Sequence, residues 1–127
     1  MAERDLAAAY VRYLTEGSES DEWALYELSE LARESPDRAW QEIQRINSIP
    51  IDDEAWKSHV HATLGCGALE DLIVLHEKLM LPIVLKAAES DPTIRDELSV
   101  IYQGSVGERI WSQICTVLAR DQHARGA

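Results

Sequence analysis

Ser35-Pro36-Asp37-Arg38-Ala39-Trp40-Gln41-Glu42-Ile43-Gln44-Arg45-Ile46 decides the fold class. Ser35 suits a helix cap, and Pro36 fits the first helical position, where no amide donor is needed. Ala39, Trp40, Ile43 and Ile46 then recur every three or four residues, which puts them on one face of an amphipathic helix.

The same grammar repeats outward in both directions. Towards the N-terminus, residues 3–16 read as a helix with Leu6, Ala9, Tyr10, Tyr13 and Leu14 near one face, broken at Gly17. Ser20 reads as the cap of a second helix, with Asp21 and Glu22 suited to its positive end and Ala24, Leu28, Leu31 and Ala32 inward. Towards the C-terminus, Asn47 to Asp52 forms a loop. Asp52 or Asp53 opens a fourth helix with Trp56, Val60, Thr63 and Leu64 inward. Gly65-Cys66-Gly67 punctuates the chain, and a fifth helix runs from about Ala68 with Leu69, Leu72, Ile73, His76 and Met80 on its face. Pro82 is expected to kink that helix or start a new one, because it lacks a donor and crowds the preceding turn; Ile83, Val84, Ala87 and Ala88 continue the apolar face. Asp91-Pro92 is a second cap-plus-proline start, followed by Ile94, Leu98, Ile101 and Tyr102. Gly104 and Gly107 bracket a turn, and Val106, Ile110, Ile114, Val117 and Leu118 line a last helix.

Period-two alternation, the mark of strands, is missing throughout. The reading is therefore all-α: seven or eight short helices, one domain over residues 1–120, and a fraying tail at 121–127. E-S-P-D-R-A-W resembles E-S-D-P-T-I-R some 55 residues later, so the helices form either a bundle or a short α-solenoid-like stack of pairs. At 127 residues the chain can bury a core without metal or disulfide staples.

Charge narrows the partners. The chain carries 23 acidic against 12 basic residues, a net charge of −11. Residues 1–60 hold 14 acids against 6 bases, a difference of −8, while residues 61–127 hold 9 against 6, a difference of −3. Such a field repels nucleic acid and anionic membrane and attracts basic proteins. The acids of the second helix and its approach read either as a solvated helix face or, with neighbouring aromatics, as the candidate partner surface: Glu19, Asp21, Glu22, Trp23, Tyr26, Glu27, Glu30 and Glu34, with Trp23 taken singly reading as a core residue.

Chemistry-bearing motifs are sparse. His59 and His61 stand about 200° apart on a helix and cannot share an ion; no paired C-x-x-C, H-E-x-x-H or phosphate loop occurs. No metal and no cofactor are expected. Cys66 and Cys115 are read as reduced, buried thiols of a cytoplasmic protein. The N-terminus places acids inside its apolar stretch, unlike a signal peptide, and no apolar run reaches membrane-spanning length. Glu70 and Asp71 read as helix-start carboxylates. His76, in the apolar stripe Leu69–Ile73–Met80, reads as a core histidine bonded to a carbonyl or carboxylate; the alternative is a pocket shared with Cys66 and Glu70.

The motifs W-A-L-Y-E-L, S-P-D-R-A-W-Q-E-I, G-C-G-A-L-E-D-L-I-V-L-H and A-A-E-S-D-P-T-I-R-D-E-L span Trp23 to Tyr102. This stretch resembles a family of small, uncharacterised bacterial all-helical domains. That pattern has Gly-Pro before L-E-D-L-L, where this chain has Gly67 and Ala68, and Pro82 is a further departure. The resemblance implies an all-helical domain and no particular reaction. Taken together, these features predict a non-enzymatic interaction domain, an immunity protein for a basic toxin being the leading form. The competing reading is a small enzyme or ligand-binding protein with an inter-helical pocket near His76.

Overall fold

The computed structural model describes the backbone of residues 5–126 and the side chains of residues 5–119. Among these residues there is no strand. In chain order the helices are α1 (Leu6–Glu16), α2 (Trp23–Glu34), α3 (Pro36–Asn47), α4 (Glu54–Leu64), α5 (Glu70–Leu75), α6 (Glu77–Ser90), α7 (Pro92–Ser99) and α8 (Gln103–Gly126). A 3-10 turn, Glu19–Asp21, leads into α2, and a π turn, Gly65–Leu69, joins α4 to α5.

The starts of α3, α4 and α7 follow their local chemistry. Asp53 Oδ1 accepts from the Trp56 amide at 3.0 Å, and Asp91 Oδ1 from the Thr93 amide at 2.9 Å. Pro36 and Pro92 occupy first-turn positions, although Ser35 takes the cap place without a side-chain bond. Asp5 caps α1 through the Ala8 amide, so the helix begins after it; residues 3 and 4, expected inside that helix, lie outside the described residues. Gly17 ends α1 in the left-handed region, φ 68°, and its amide returns to the Tyr13 carbonyl at 3.1 Å. A residue without Cβ takes that conformation at least cost.

Several expectations give way to the structure. Ser20 does not cap α2: it lies within the 3-10 turn, its hydroxyl paired with Ser18 at 3.1 Å. Gly65-Cys66-Gly67 does not break the chain either. The helix continues through the π turn, in which Gly65 is needed for close packing: a Cβ there would sit on the Glu97 carbonyl oxygen and 2.6 Å from Val100 Cγ2. The break comes instead at His76, whose backbone leaves the helix at φ −131°, ψ 43°. Pro82 lies inside α6 on its exposed side, where water can meet the carbonyl that the ring leaves without a donor. Gly107, with φ 84°, interrupts α8 near its start, and the helical backbone then continues to Gly126.

The rod formed by α4, the π turn and α5 touches α1, α2 and α3, and also α7 and α8. Leu28, Ile43, Ile46, Leu64, Leu69, Leu72, Ile73, Met80, Ile94, Leu98 and Ile114 are its fully buried neighbours and members. Trp23, Trp40 and Trp111 pack on the margin of this core. Trp56 does not: it is 45% exposed and meets His59 edge-on, ring centroids 5.9 Å apart. Tyr102 and Ile83, expected inward, are also exposed. Both cysteines are free and exposed rather than buried. Each sits next to a buried neighbour, Gly65 or Ile114, and the turn of the helix carries it to the outer face.

Candidate functional site

The acid-rich segment divides into carboxylates that are used internally and carboxylates that are free. Asp21 is used: it is only 7% exposed and receives Arg12 Nε at 3.0 Å and Nη2 at 2.9 Å, a two-point clamp between α1 and the 3-10 turn. That hydrogen bond is the main reason the carboxyl titrates below its ordinary range. Asp21 therefore belongs to the fold and not to a docking face. Glu22 accepts from the exposed Tyr26 hydroxyl at 3.0 Å. Trp23 lies half-buried against the core. Glu27, Glu30 and Glu34 are exposed and recur at helical spacing along one side of α2. Among the described residues none of these three carboxylates is paired with a cation. Glu19 is exposed at the entrance to the helix.

The triad Cys66, Glu70 and His76 does not assemble. Cys66 Sγ leans on the Thr63 carbonyl at 3.9 Å. Glu70 Oε1 accepts the Tyr102 amide at 3.1 Å, and so fastens the start of α8 instead of capping a helix. With α4 and α5 continuous through the π turn, there are no free amides at Glu70 for a carboxylate to satisfy. His76 Nε2–H is shared between the Ala32 carbonyl at 2.9 Å and the Arg33 carbonyl at 3.1 Å. It thereby closes the C-terminal end of α2, with the carbonyl partner expected of it, but it is half-buried at the border of a surface hollow and not a core residue.

The most tightly connected polar cluster was not legible in the sequence. Glu97 on α7 is 0% exposed. Its Oε2 lies 2.9 Å from His61 Nδ1 on α4, and its Oε1 accepts Asn47 Nδ2–H from the end of α3 at 3.1 Å. Asn47 Oδ1 also lies 3.1 Å from His61 Nδ1. Because the Asn47 amide is oriented by its donation to Glu97, both neighbours of Nδ1 are acceptors, and the network assigns the proton to Nδ1. Burial pushes the Glu97 carboxyl above its ordinary range, against the pull of the His61 and Asn47 hydrogen bonds. His61 also borders a groove of about 370 Å³ between α4 and α7, lined further by Glu54, Lys57, Ser58, Asp96 and Ser99. No hydrogen bond joins His61 to Ser58 or Ser99 among the described residues, so no nucleophile and base are assembled there.

Among the described residues no group of three or more His, Cys, Asp or Glu stands where a metal ion could be held. No described helix is long and apolar enough to cross a membrane. Residues 13–122 match a family described as a family of unknown function, DUF6869. The chain belongs to this family. The match takes in the acidic row of α2, the His61–Glu97 cluster and the π turn alike. No curated protein and no solved structure matches the chain.

Proposed function

We propose that the domain acts by binding a basic protein partner, without catalysing a reaction, and that the exposed side of α2 is the docking face. The observation that carries this reading is the row Glu27, Glu30 and Glu34, exposed and without a cationic partner among the described residues. An intramolecular ion pair would neutralise such a row. Left open, it adds to the field of a chain of net charge −11 and accelerates encounter with a positive surface. Tyr26, 64% exposed on the same helix, supplies an aromatic contact beside the acids. The finer form of the proposal is an immunity protein that neutralises a basic toxin, such as a nuclease. The acidic helical surface supports it, as does the lack, among the described residues, of an assembled nucleophile and base.

The test is affinity capture from the native host at low and at high salt, with the parent chain and a Glu27→Lys/Glu30→Lys/Glu34→Lys variant. The reading expects a basic protein that the parent retains at low salt, releases at high salt and that the variant fails to capture. Capture that is indifferent both to salt and to the three substitutions would sink it.

A further inference from the structure

Trp23, Glu27, Glu30 and Glu34 follow one another at intervals of four, three and four residues, so all four stand on one stripe of α2. Leu31, four residues after Glu27, borders that stripe on the side towards α3. Between the stripe and α3 lies a solvent-open hollow of about 290 Å³, lined by Trp23, Glu27 and Leu31 from α2, Leu6 from α1, and Arg38 and Glu42 from α3. Glu27 thus belongs both to the acidic row and to the wall of the hollow. Leu6 and Leu31 are almost wholly buried and Trp23 is half-buried, so these three give the hollow an apolar base. On the far wall, Glu42 Oε1 accepts Arg45 Nη1 at 3.1 Å, and Arg38 stands one turn before Glu42.

We infer that this hollow receives one aliphatic side chain of the partner, and that the partner therefore presents to α2 a basic amphipathic helix with an apolar anchor. The inference rests on the proposed docking at α2 and narrows it, because the acidic row alone would accept any positive surface. The charges around the hollow select an apolar anchor over a cationic one. Glu42 is engaged by Arg45, and the remaining lining charges, Glu27 and Arg38, oppose each other. No net charge is left to repay the desolvation of an inserted ammonium or guanidinium. Leu6, Trp23 and Leu31, by contrast, gain from a methyl-bearing group that displaces water from them. A helix suits the spacing: Glu27 and Glu34 stand seven residues apart, about 10 Å along the axis. Basic residues at the same intervals on a partner helix meet the row, while a residue on the adjoining face points towards α3. The contact then has an apolar centre and a charged rim, and truncating the centre costs most.

The experiment titrates the full chain with three amidated, alanine-based helical peptides of about 18 residues, long enough to hold a helix in water. All carry lysines at three- and four-residue intervals along one edge; the central position beside that edge is leucine, alanine or lysine. The leucine peptide is expected to bind about tenfold more tightly than the alanine peptide, the effect of partly burying the extra carbons. It should also bind more tightly than the lysine peptide, which carries one more positive charge. Its isotope-labelled leucine methyls should give nuclear Overhauser contacts to the Trp23 indole and the Leu31 methyls, and all three peptides should lose affinity for the Glu27→Lys/Glu30→Lys/Glu34→Lys variant. Equal affinity of the leucine and alanine peptides, a lysine peptide as tight as the leucine one, or methyl contacts confined to other residues would each overturn the anchor, and leave the docking face standing if the variant still loses binding. Failure of all three peptides to bind the parent chain would remove the docking face and the anchor together.

Discussion

The Glu97 carboxylate and the His61 imidazole meet at 2.9 Å across α7 and α4, with Asn47 closing the third side. A carboxylate removed from water in this way depends on its partners, because removing one side of a buried pair leaves the other uncompensated. His61→Ala is therefore expected to cost about 3–5 kcal/mol in urea unfolding. Replacing both members, His61→Leu with Glu97→Leu, should cost less than the sum of the two single changes. A strictly additive double-mutant cycle would show that the pair is not coupled.

The same cluster sets a pH dependence whose sign can be worked out. Burial raises the folded-state titration of Glu97 above its unfolded value. The folded chain therefore holds this proton to higher pH than the unfolded chain. The stability contributed is fully present below the unfolded value and is lost as pH rises through the folded one. The advantage of the parent over Glu97→Gln should accordingly shrink between acid and neutral pH. Asp21 behaves oppositely: the Arg12 hydrogen bond lowers its titration, so its contribution is present above its unfolded value and disappears as pH falls through the folded one. The difference between the parent and Arg12→Met should vanish in acid. Urea midpoints across the pH range check both signs.

Two glycines two residues apart should respond in opposite directions. Gly65→Ala drives a methyl into the Glu97 carbonyl and Val100 and is expected to cost about 1–3 kcal/mol by overpacking. Gly67→Ala meets open space at a helical position and should stabilise by about 0.4–1 kcal/mol, mainly by restricting the unfolded chain. Thermal unfolding of the two variants side by side is the measurement; equal effects would contradict the packing described here.

His76→Ala should release the last carbonyls of α2 at a cost of about 1–2 kcal/mol. Hydrogen exchange should then accelerate in the final turn of α2 more than in α3 or α7. Uniform acceleration would mean that the bonds to Ala32 and Arg33 are not what holds that end.

Local chemistry explains which parts of this architecture are legible in the sequence. Pro36, Pro92 and Asp53 mark helix starts because a cap and a first-turn proline act within a few residues. The stripes of α3, α7 and α8 are legible because burial on one face imposes the helical period. The break at His76 is not legible, since histidine carries no backbone signal and its conformation answers to carbonyls more than forty residues away. Glycine is ambiguous for a different reason: Gly65 reads as punctuation, but its role is close approach to α7. At the candidate site, the exposed row Glu27, Glu30 and Glu34 follows from helical spacing. Asp21 could not be separated from it without knowing that Arg12 lies opposite. Asn47, His61 and Glu97 come from three helices and share no periodicity, so only the packing brings them together.

The π turn at Gly65–Leu69 amounts to one extra residue in an otherwise α-helical rod. Wound uniformly as an α-helix with the same residues, the rod would rotate everything beyond that turn by about 100° relative to α4. Ile73 would then point where the exposed Val74 now points, and Asp71 where the buried Leu72 now points. The widened turn thus acts as a phase shifter: it allows one continuous rod to present two differently aimed apolar faces, one to α1, α2 and α3 and one to the C-terminal helices.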